Sequence, residues 1–403
     1  MLRRIEDYIP VVGDNVIAEL HRKARKLYNR HVIHLNSTFM GGGVAEILNT
    51  LVPMMNDAGV DAGWRVLHGN AAFYELTKKF HNGLQGADID FTEEEAKMYY
   101  DVNQGFASYT HVNHDCVIIH DPQPLPFIHN FKKQQPWIWR CHIDLSQPNT
   151  KLWNFLKTFL PRYDRIIVSS KDYVQDDVPV EQVIIPPAID PLSFKNKELS
   201  DADIQAYAKN ARIPTDKPIL TQVSRMDKWK DPEGVLEVYH RVREKVDCRL
   251  LFCYNLATDD PEGMDIYTRI YDKAKKLVEQ NDVVFVIGNN ELLVNAIQRL
   301  SDVIIQKSTK EGFCLAVTEA LWKGTPVVAS RVGGIPIQIQ DGKTGFLLAP
   351  NDYDGFAERI VTLLNDKKLA KEIGHNAKEF VREKFCMTRL MGDYLDLITE
   401  LVS

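Results

Sequence analysis

The feature that most constrains this chain is a rhythm that runs once and then starts again. Short β-branched apolar runs alternate with polar turns and amphipathic stretches. Segments 31–35 (HVIHL), 116–119 (CVII), 137–141 (WIWRC) and 165–169 (RIIVS) read as one set of strands. Segments 218–223 (PILTQV), 249–253 (RLLFC), 283–287 (VVFVI), 303–305 (VII) and 326–329 (PVVA) read as a second. The intervening stretches predict helices over about 44–58, 232–246, 265–279, 290–300 and 316–322. Apolar strands separated by helices mark parallel sheets covered on both faces. The restart gives two α/β domains, 1–195 and 196–386, joined through the polar, turn-rich IDPLSFKNKELSDADIQ segment. No fixed short repeat is present, so a solenoid is excluded. Ligands of doubly wound sheets bind outside the carboxyl ends of the strands. Two such sheets facing each other would line one cleft.

Composition narrows the function classes. A chain of 403 residues with 44% hydrophobic and 26% charged residues needs no disulfide staple to build its cores. Its net charge of -6 argues against a broad nucleic-acid footprint. The six cysteines, at 116, 141, 248, 253, 314 and 386, lack zinc-ligand spacing and read as reduced, packed thiols of a cytoplasmic protein. The N-terminus has no signal-peptide core, and no apolar run is long enough to span a membrane.

Four segments carry candidate chemistry. The turn 36–43 (NSTFMGGG) follows a strand and opens a helix. Its glycines, Gly42 and Gly43 among them, suit a backbone cradle for a diphosphate, and equally suit a tight turn. Arg225 and Lys230 follow the first strand of the second domain, where a planar fork and a mobile ammonium could neutralise a leaving diphosphate. A solvated basic loop is the competing reading. In the segment 310–320 (KEGFCLAVTEA), Glu311 lies in a loop and Gly312, Phe313, Cys314 and Leu315 lead into a helix whose first N–H groups suit a phosphate. Glu319 follows eight positions after Glu311, a spacing that suits two carboxylates holding hydroxyls at opposite ends of one ligand. A loop acid and a surface glutamate would look the same. Finally, His120-Asp121 and His142 with Asp144 end two adjacent strands at the presumed cleft. His31, His34, His111, His114 and His240 read as structural or surface residues.

Together these segments resemble the retaining nucleotide-sugar glycosyltransferases of the GT-B fold, two Rossmann-like domains facing across a cleft. IPPAID at 185–190, Phe194, GGIP at 333–336 and DGKTGF at 341–346 extend the resemblance over nearly the whole chain. HDPQPL at 120–125, RCHIDLS at 140–146 and QKS at 306–308 are similar to the trehalose glycosyltransferring synthases in particular. Cys314 stands where that family usually has glycine. The resemblance implies that Arg225 and Lys230 bind the donor diphosphate. It further implies that Glu311 holds donor-glucose hydroxyls, Glu319 the ribose, and His142 the region of the 6-hydroxyl. The remaining donor contacts would come from Gly42, Gly43 and the 312–315 turn, and the acceptor contacts from Asn36, Asp121 and Gln123. It also implies that a C-terminal helix, about 387–403, crosses back to the first domain.

The expected reaction forms α,α-1,1-linked trehalose from UDP-, ADP- or GDP-glucose and free glucose, reversibly and with retention. No carboxylate is evident for a covalent glycosyl-enzyme, so same-face attack is expected. No cofactor is required; Mg2+ is the one ion left open, and so is a homodimer. The rivals are a retaining trehalose phosphorylase, another acceptor sugar, a non-catalytic nucleotide-sugar sensor and an NAD-linked enzyme. The last lacks a G-x-G-x-x-G turn.

Overall fold

The computed structural model describes residues 3–40, 42–255, 261–288 and 290–402; Gly41 of the glycine turn lies outside them. The chain divides into two compact units. One runs to Ala188 and resumes at Phe385; the other spans Ile189–Lys384. Twelve strands lie among the described residues, six in each unit.

The first unit holds β1 (His31–Asn36), β2 (Asp61–Val66), β3 (Cys116–His120), β4 (Trp137–Arg140), β5 (Arg165–Val168) and β6 (Gln182–Ile184). They form one wholly parallel sheet in the order β2-β1-β3-β4-β5-β6. Every residue of β3 and β4 is buried, as expected of central strands with helices on both faces. The strand order reverses between β1 and β3, and that switch point is where a doubly wound sheet opens a crevice for ligand. The C-terminal helix Met387–Val402 belongs to this unit and packs on the helices Asp14–Ala24 and Gly43–Asp57.

The second unit holds β7 (Ile219–Arg225), β8 (Arg249–Asn255), β9 (Val283–Ile287), β10 (Val303–Gln306), β11 (Val327–Ser330) and β12 (Phe346–Leu348). These too are all parallel, in the order β12-β11-β10-β7-β8-β9. Counted within the unit this is the 3-2-1-4-5-6 arrangement of dinucleotide-binding sheets, with its switch point between β7 and β10.

Three strands, β2, β6 and β12, are missing from the sequence reading, and all three are sheet edges. The join also falls earlier than 195/196. Asp190 to Lys197 is already stitched into the second unit: Asn295 donates to the carbonyls of Phe194 (3.0 Å) and Lys197 (2.8 Å), and Trp322 Nε1 donates to that of Asn196 (3.1 Å). The segment's backbone carbonyls supply these anchors, and the Asn196 side chain adds one by accepting from Lys323 Nζ at 2.8 Å.

Candidate active site

In the second unit, the loops leaving β7 and β10 meet at the switch point. Asp227 caps the short 3-10 turn Lys228–Lys230 by accepting from the N–H groups of Trp229 (3.0 Å) and Lys230 (3.2 Å). The Thr309 N–H donates to the Trp229 carbonyl at 2.8 Å and ties the two loops together. Lys230 Nζ thereby forms an ion pair with Glu311, and both side chains are nearly buried, at 13% and 10% exposure. Ser308 donates to the same carboxylate (3.3 Å) and accepts from Gln306 (3.0 Å), while Gln222 donates to the Lys230 carbonyl (2.7 Å). Burial opposes the Lys230 charge. Glu311 beside it, with smaller contributions from Cys314 and Asp227, more than compensates, and the ammonium pKa lies above its ordinary value. Lys230 therefore stays cationic at neutral pH, ready to meet an anion.

The turn is held from behind by Lys307, a buried cation that pairs with Asp231 and lies 4.1 Å from the centre of the Tyr353 ring. Asp231 adopts a left-handed conformation (φ 45°) and caps the helix Pro232–Arg243 through the Gly234 N–H (3.0 Å).

The helix Leu315–Trp322 starts directly after Cys314, which is its N-cap at φ 74° and ψ 75°. That left-handed geometry explains why glycine suits the position and why a side chain there costs about 1 kcal/mol. The loop before it is pinned by Gln338, which donates to the carbonyls of Phe313 and of Gly334 (3.1 Å). A Cβ on Gly334 would lie 2.6 Å from the Gly312 carbonyl oxygen, so only glycine allows this approach. Glu319 is not a surface glutamate. It is buried within the helix, 3.4 Å from Lys195 Nζ and accepting from Gln298 at 3.3 Å. Arg225 stands apart from Glu311. It is 60% exposed and pairs with Asp227 at 3.1 Å, so of the two basic residues singled out, only Lys230 joins the carboxylate.

The first unit carries a second cluster, at its own switch point. His34 Nδ1 lies 3.0 Å from His120 Nε2, and His120 Nδ1 lies 3.0 Å from His142 Nε2. Burial holds all three imidazoles well below their ordinary pKa, His34 at about 3; the neighbouring Arg140 adds to this at His120 and His142. Arg140 itself is buried, donating to the Val168 carbonyl (3.2 Å) and Ser169 Oγ (3.3 Å). Asp121, at φ 62°, accepts from the His142 N–H at 2.8 Å; burial raises its pKa to about 6 against that bond and Arg140. Asn36 uses both ends of its amide inside the unit, donating to the Thr38 carbonyl (2.6 Å) and accepting from Trp64 Nε1 (2.7 Å). It braces the turn that Gly42 (φ 85°) and Gly43 complete. The Gln123 carbonyl accepts from Asn103 at 3.1 Å. His34, Arg140 and Gln222 are absent from the sequence reading of the site. The available signal was a polar residue inside an otherwise apolar strand, as in HVIHLN, WIWR and ILTQVSR. Among the described residues, no group of three or more His, Cys, Asp and Glu side chains is arranged to hold a metal.

Two parallel six-stranded sheets of this topology, one in each unit, are the architecture of the GT-B fold. A solved α,α-trehalose-phosphate synthase (UDP-forming) from Burkholderia xenovorans superposes with a TM-score of 0.74 at 13% identity, over 92% of this chain and all of that one (100%). Residues 34–175 match the family described as trehalose synthase, N-terminal domain, and residues 203–380 match glycosyl transferases group 1. The trehalose synthase of Thermococcus litoralis is 46% identical over 98% of this chain and 97% of its own length. The chain belongs to the trehalose synthase family. More distantly, it is 30% identical over 94% of its length to the trehalose phosphorylase of Pleurotus pulmonarius, of which it spans 58%. Its activity is glycosyl transfer in trehalose chemistry.

Proposed function

We propose that the enzyme joins the glucosyl unit of a nucleoside-diphosphate-glucose to free glucose, forming α,α-1,1-linked trehalose with retention and in reversible fashion. The observation that carries this reading is the buried Lys230–Glu311 pair at the switch point of the second sheet. A donor diphosphate there meets the Lys230 ammonium and the first turn of the helix Leu315–Trp322, with Arg225 closing from the exposed side. Glu311, held by Ser308 and Lys230, accepts from donor-glucose hydroxyls, and Glu319 accepts from the ribose diol. His142 contacts the donor sugar near its 6-hydroxyl. Asp121 and the turn that Asn36 braces position the acceptor, with Gln123 nearby.

Attack comes from the face the diphosphate leaves, and a leaving-group oxygen takes the acceptor proton. Catalysis is then positioning together with charge stabilisation of the departing diphosphate. No resident metal is needed on this reading, and Mg2+ acts only as a counterion of the nucleotide. Rates that persist in a chelator support this; rates that vanish and return with Mg2+ contradict it.

Similarity to the phosphorylases supports a second reading, phosphorolysis of trehalose. Purified protein incubated with glucose and, separately, UDP-, ADP- or GDP-glucose distinguishes the two. An α,α-1,1 disaccharide identified by NMR, formed without phosphate, is the expected result. Turnover only with trehalose and inorganic phosphate would replace it with the phosphorylase reading.

A further inference from the structure

We propose that His34 and His120 are positioning residues that fix the ring tautomer of His142, presenting its Nδ1 as a hydrogen-bond donor to the sugar. The inference rests on the reading of His142 as a sugar contact and says what kind of contact it makes.

A neutral imidazole carries one N–H and one lone pair, so a hydrogen-bonded chain of imidazoles has a direction. Here the two links are His34 Nδ1 to His120 Nε2 and His120 Nδ1 to His142 Nε2, each 3.0 Å. Two proton arrangements satisfy both. Either all three rings carry hydrogen on Nδ1, or all three carry it on Nε2. The far end of the chain decides between them. His34 Nε2 is buried and has no hydrogen-bond partner among the described residues. In the Nε2 arrangement that atom is a stranded N–H; in the Nδ1 arrangement it is an unused lone pair. Native interiors leave donors unpaired less often than acceptors, so the chain settles with hydrogen on Nδ1.

The direction then runs outward. His34 donates to His120, His120 donates to His142, and His142 keeps Nδ1–H as its remaining polar group. His34 and His120 are fully buried, whereas His142 is only partly so, which leaves the open end of the chain on the ligand side. The placement follows from topology. β1, β3 and β4 are consecutive in the sheet, and the three rings sit on or just beyond their carboxyl ends, with successive ring centres 5.3 Å apart. Arg140, at the end of β4, adds a buried positive charge that resists an imidazolium at His120 and at His142.

The chemical consequence is specific. His142 grips a sugar hydroxyl by its oxygen and cannot take its proton. The proton released in glycosyl transfer must go elsewhere, which agrees with a leaving-group oxygen as the acceptor.

The test uses the full-length protein labelled with 15N-histidine and long-range 1H–15N correlation. The expected result is protonated Nδ1 and unprotonated Nε2 on His34, His120 and His142. Hydrogen on Nε2 of His142 would overturn the inference. His120→Leu removes the donor to His142 and is expected to move that ring toward the Nε2–H form that imidazole prefers in water. The KM for the sugar should rise about tenfold, the worth of one neutral hydrogen bond. His120→Asn, which can donate from the same place, should restore both signals. An unchanged His142 tautomer in His120→Leu also overturns the inference. If the tautomers behave as expected but no disaccharide forms from any nucleotide-sugar, the relay stands and the proposed reaction falls.

Discussion

At the scale of single residues, the ion pair of Lys230 and Glu311 combines stability with chemistry. Removing one partner of a nearly buried pair strands the other charge, which costs about 3–5 kcal/mol, whereas replacing both with apolar groups can be neutral. Lys230→Met is therefore expected to lower unfolding free energy by about 3 kcal/mol. Adding Glu311→Leu should recover most of it. Neither protein should transfer sugar at more than about a hundredth of the normal rate, the scale of a lost oxyanion donor. Denaturant unfolding and product formation check both halves, and a double variant no more stable than Lys230→Met contradicts the account. Cys314 gives a second prediction. Cys314→Gly relieves the left-handed strain and should change stability by less than about 1 kcal/mol, whereas the β-branched Cys314→Val should lose more than that.

Legibility in the sequence follows the same physics. Glu311 stood out by its place between a strand and a helix start, where a plain loop acid looks the same in sequence; its burial against Lys230 is what the fold adds. The histidine chain was not, because His34 reads as any polar residue in a strand until β1, β3 and β4 are placed side by side. Arg225 and Lys230 look alike in sequence, and only the fold of the turn separates an exposed guanidinium from a buried ammonium.

At the scale of elements, the central strands announced themselves and the edges did not. β3, β4, β10 and β11 are buried throughout and read as apolar runs, each closed by one polar residue (CVIIH, WIWR, VIIQ and VVAS). β2 (DAGWRV), β6 (QVI) and β12 (FLL) border solvent or are too short to show a period. β9 is the one edge strand that sequence revealed, because VVFVI is apolar throughout. The turn that opens the helix Gly43–Asp57 supports a third prediction. Gly42 lies at φ 85° and ψ 159°, a region that side chains all but exclude, yet a Cβ there would meet nothing within 4 Å. Any loss in Gly42→Ala is therefore backbone strain and not collision. It should amount to about 1–3 kcal/mol or a re-formed turn. Thermal unfolding, together with the KM for both substrates, reads the two outcomes; a variant unchanged in stability and in KM would show that the turn does not need this geometry.

At the scale of the whole molecule, titration should load the two units unequally, because the three linked histidines all lie in the first. Each has a folded pKa far below the usual value near 6.5, His34 at about 3. Between those limits the unfolded chain binds protons that the folded chain refuses, so stability is lost as pH falls. Asp121 acts in the opposite sense. Its folded pKa of about 6 lies above the ordinary 3.8, so between these values the folded state holds the extra proton and gains stability on acidification. Near pH 5 the linked histidines, joined by His114 and His129, whose pKa values burial also lowers, outweigh the carboxyl of Asp121, so acidification costs stability. Trp137 and Trp139, both buried in the first unit, make tryptophan fluorescence a suitable probe. Denaturant midpoints should be level from about pH 7 to 8 and fall steeply from about pH 6.5 toward 5. Asp121→Asn, which removes the opposing group, should steepen the fall between pH 6 and 4. A midpoint that stays constant from pH 7.5 to about 5 would mean that the imidazoles become charged without disrupting the fold. The direction of the histidine chain would then have to be reconsidered, because an imidazolium can donate from both nitrogens.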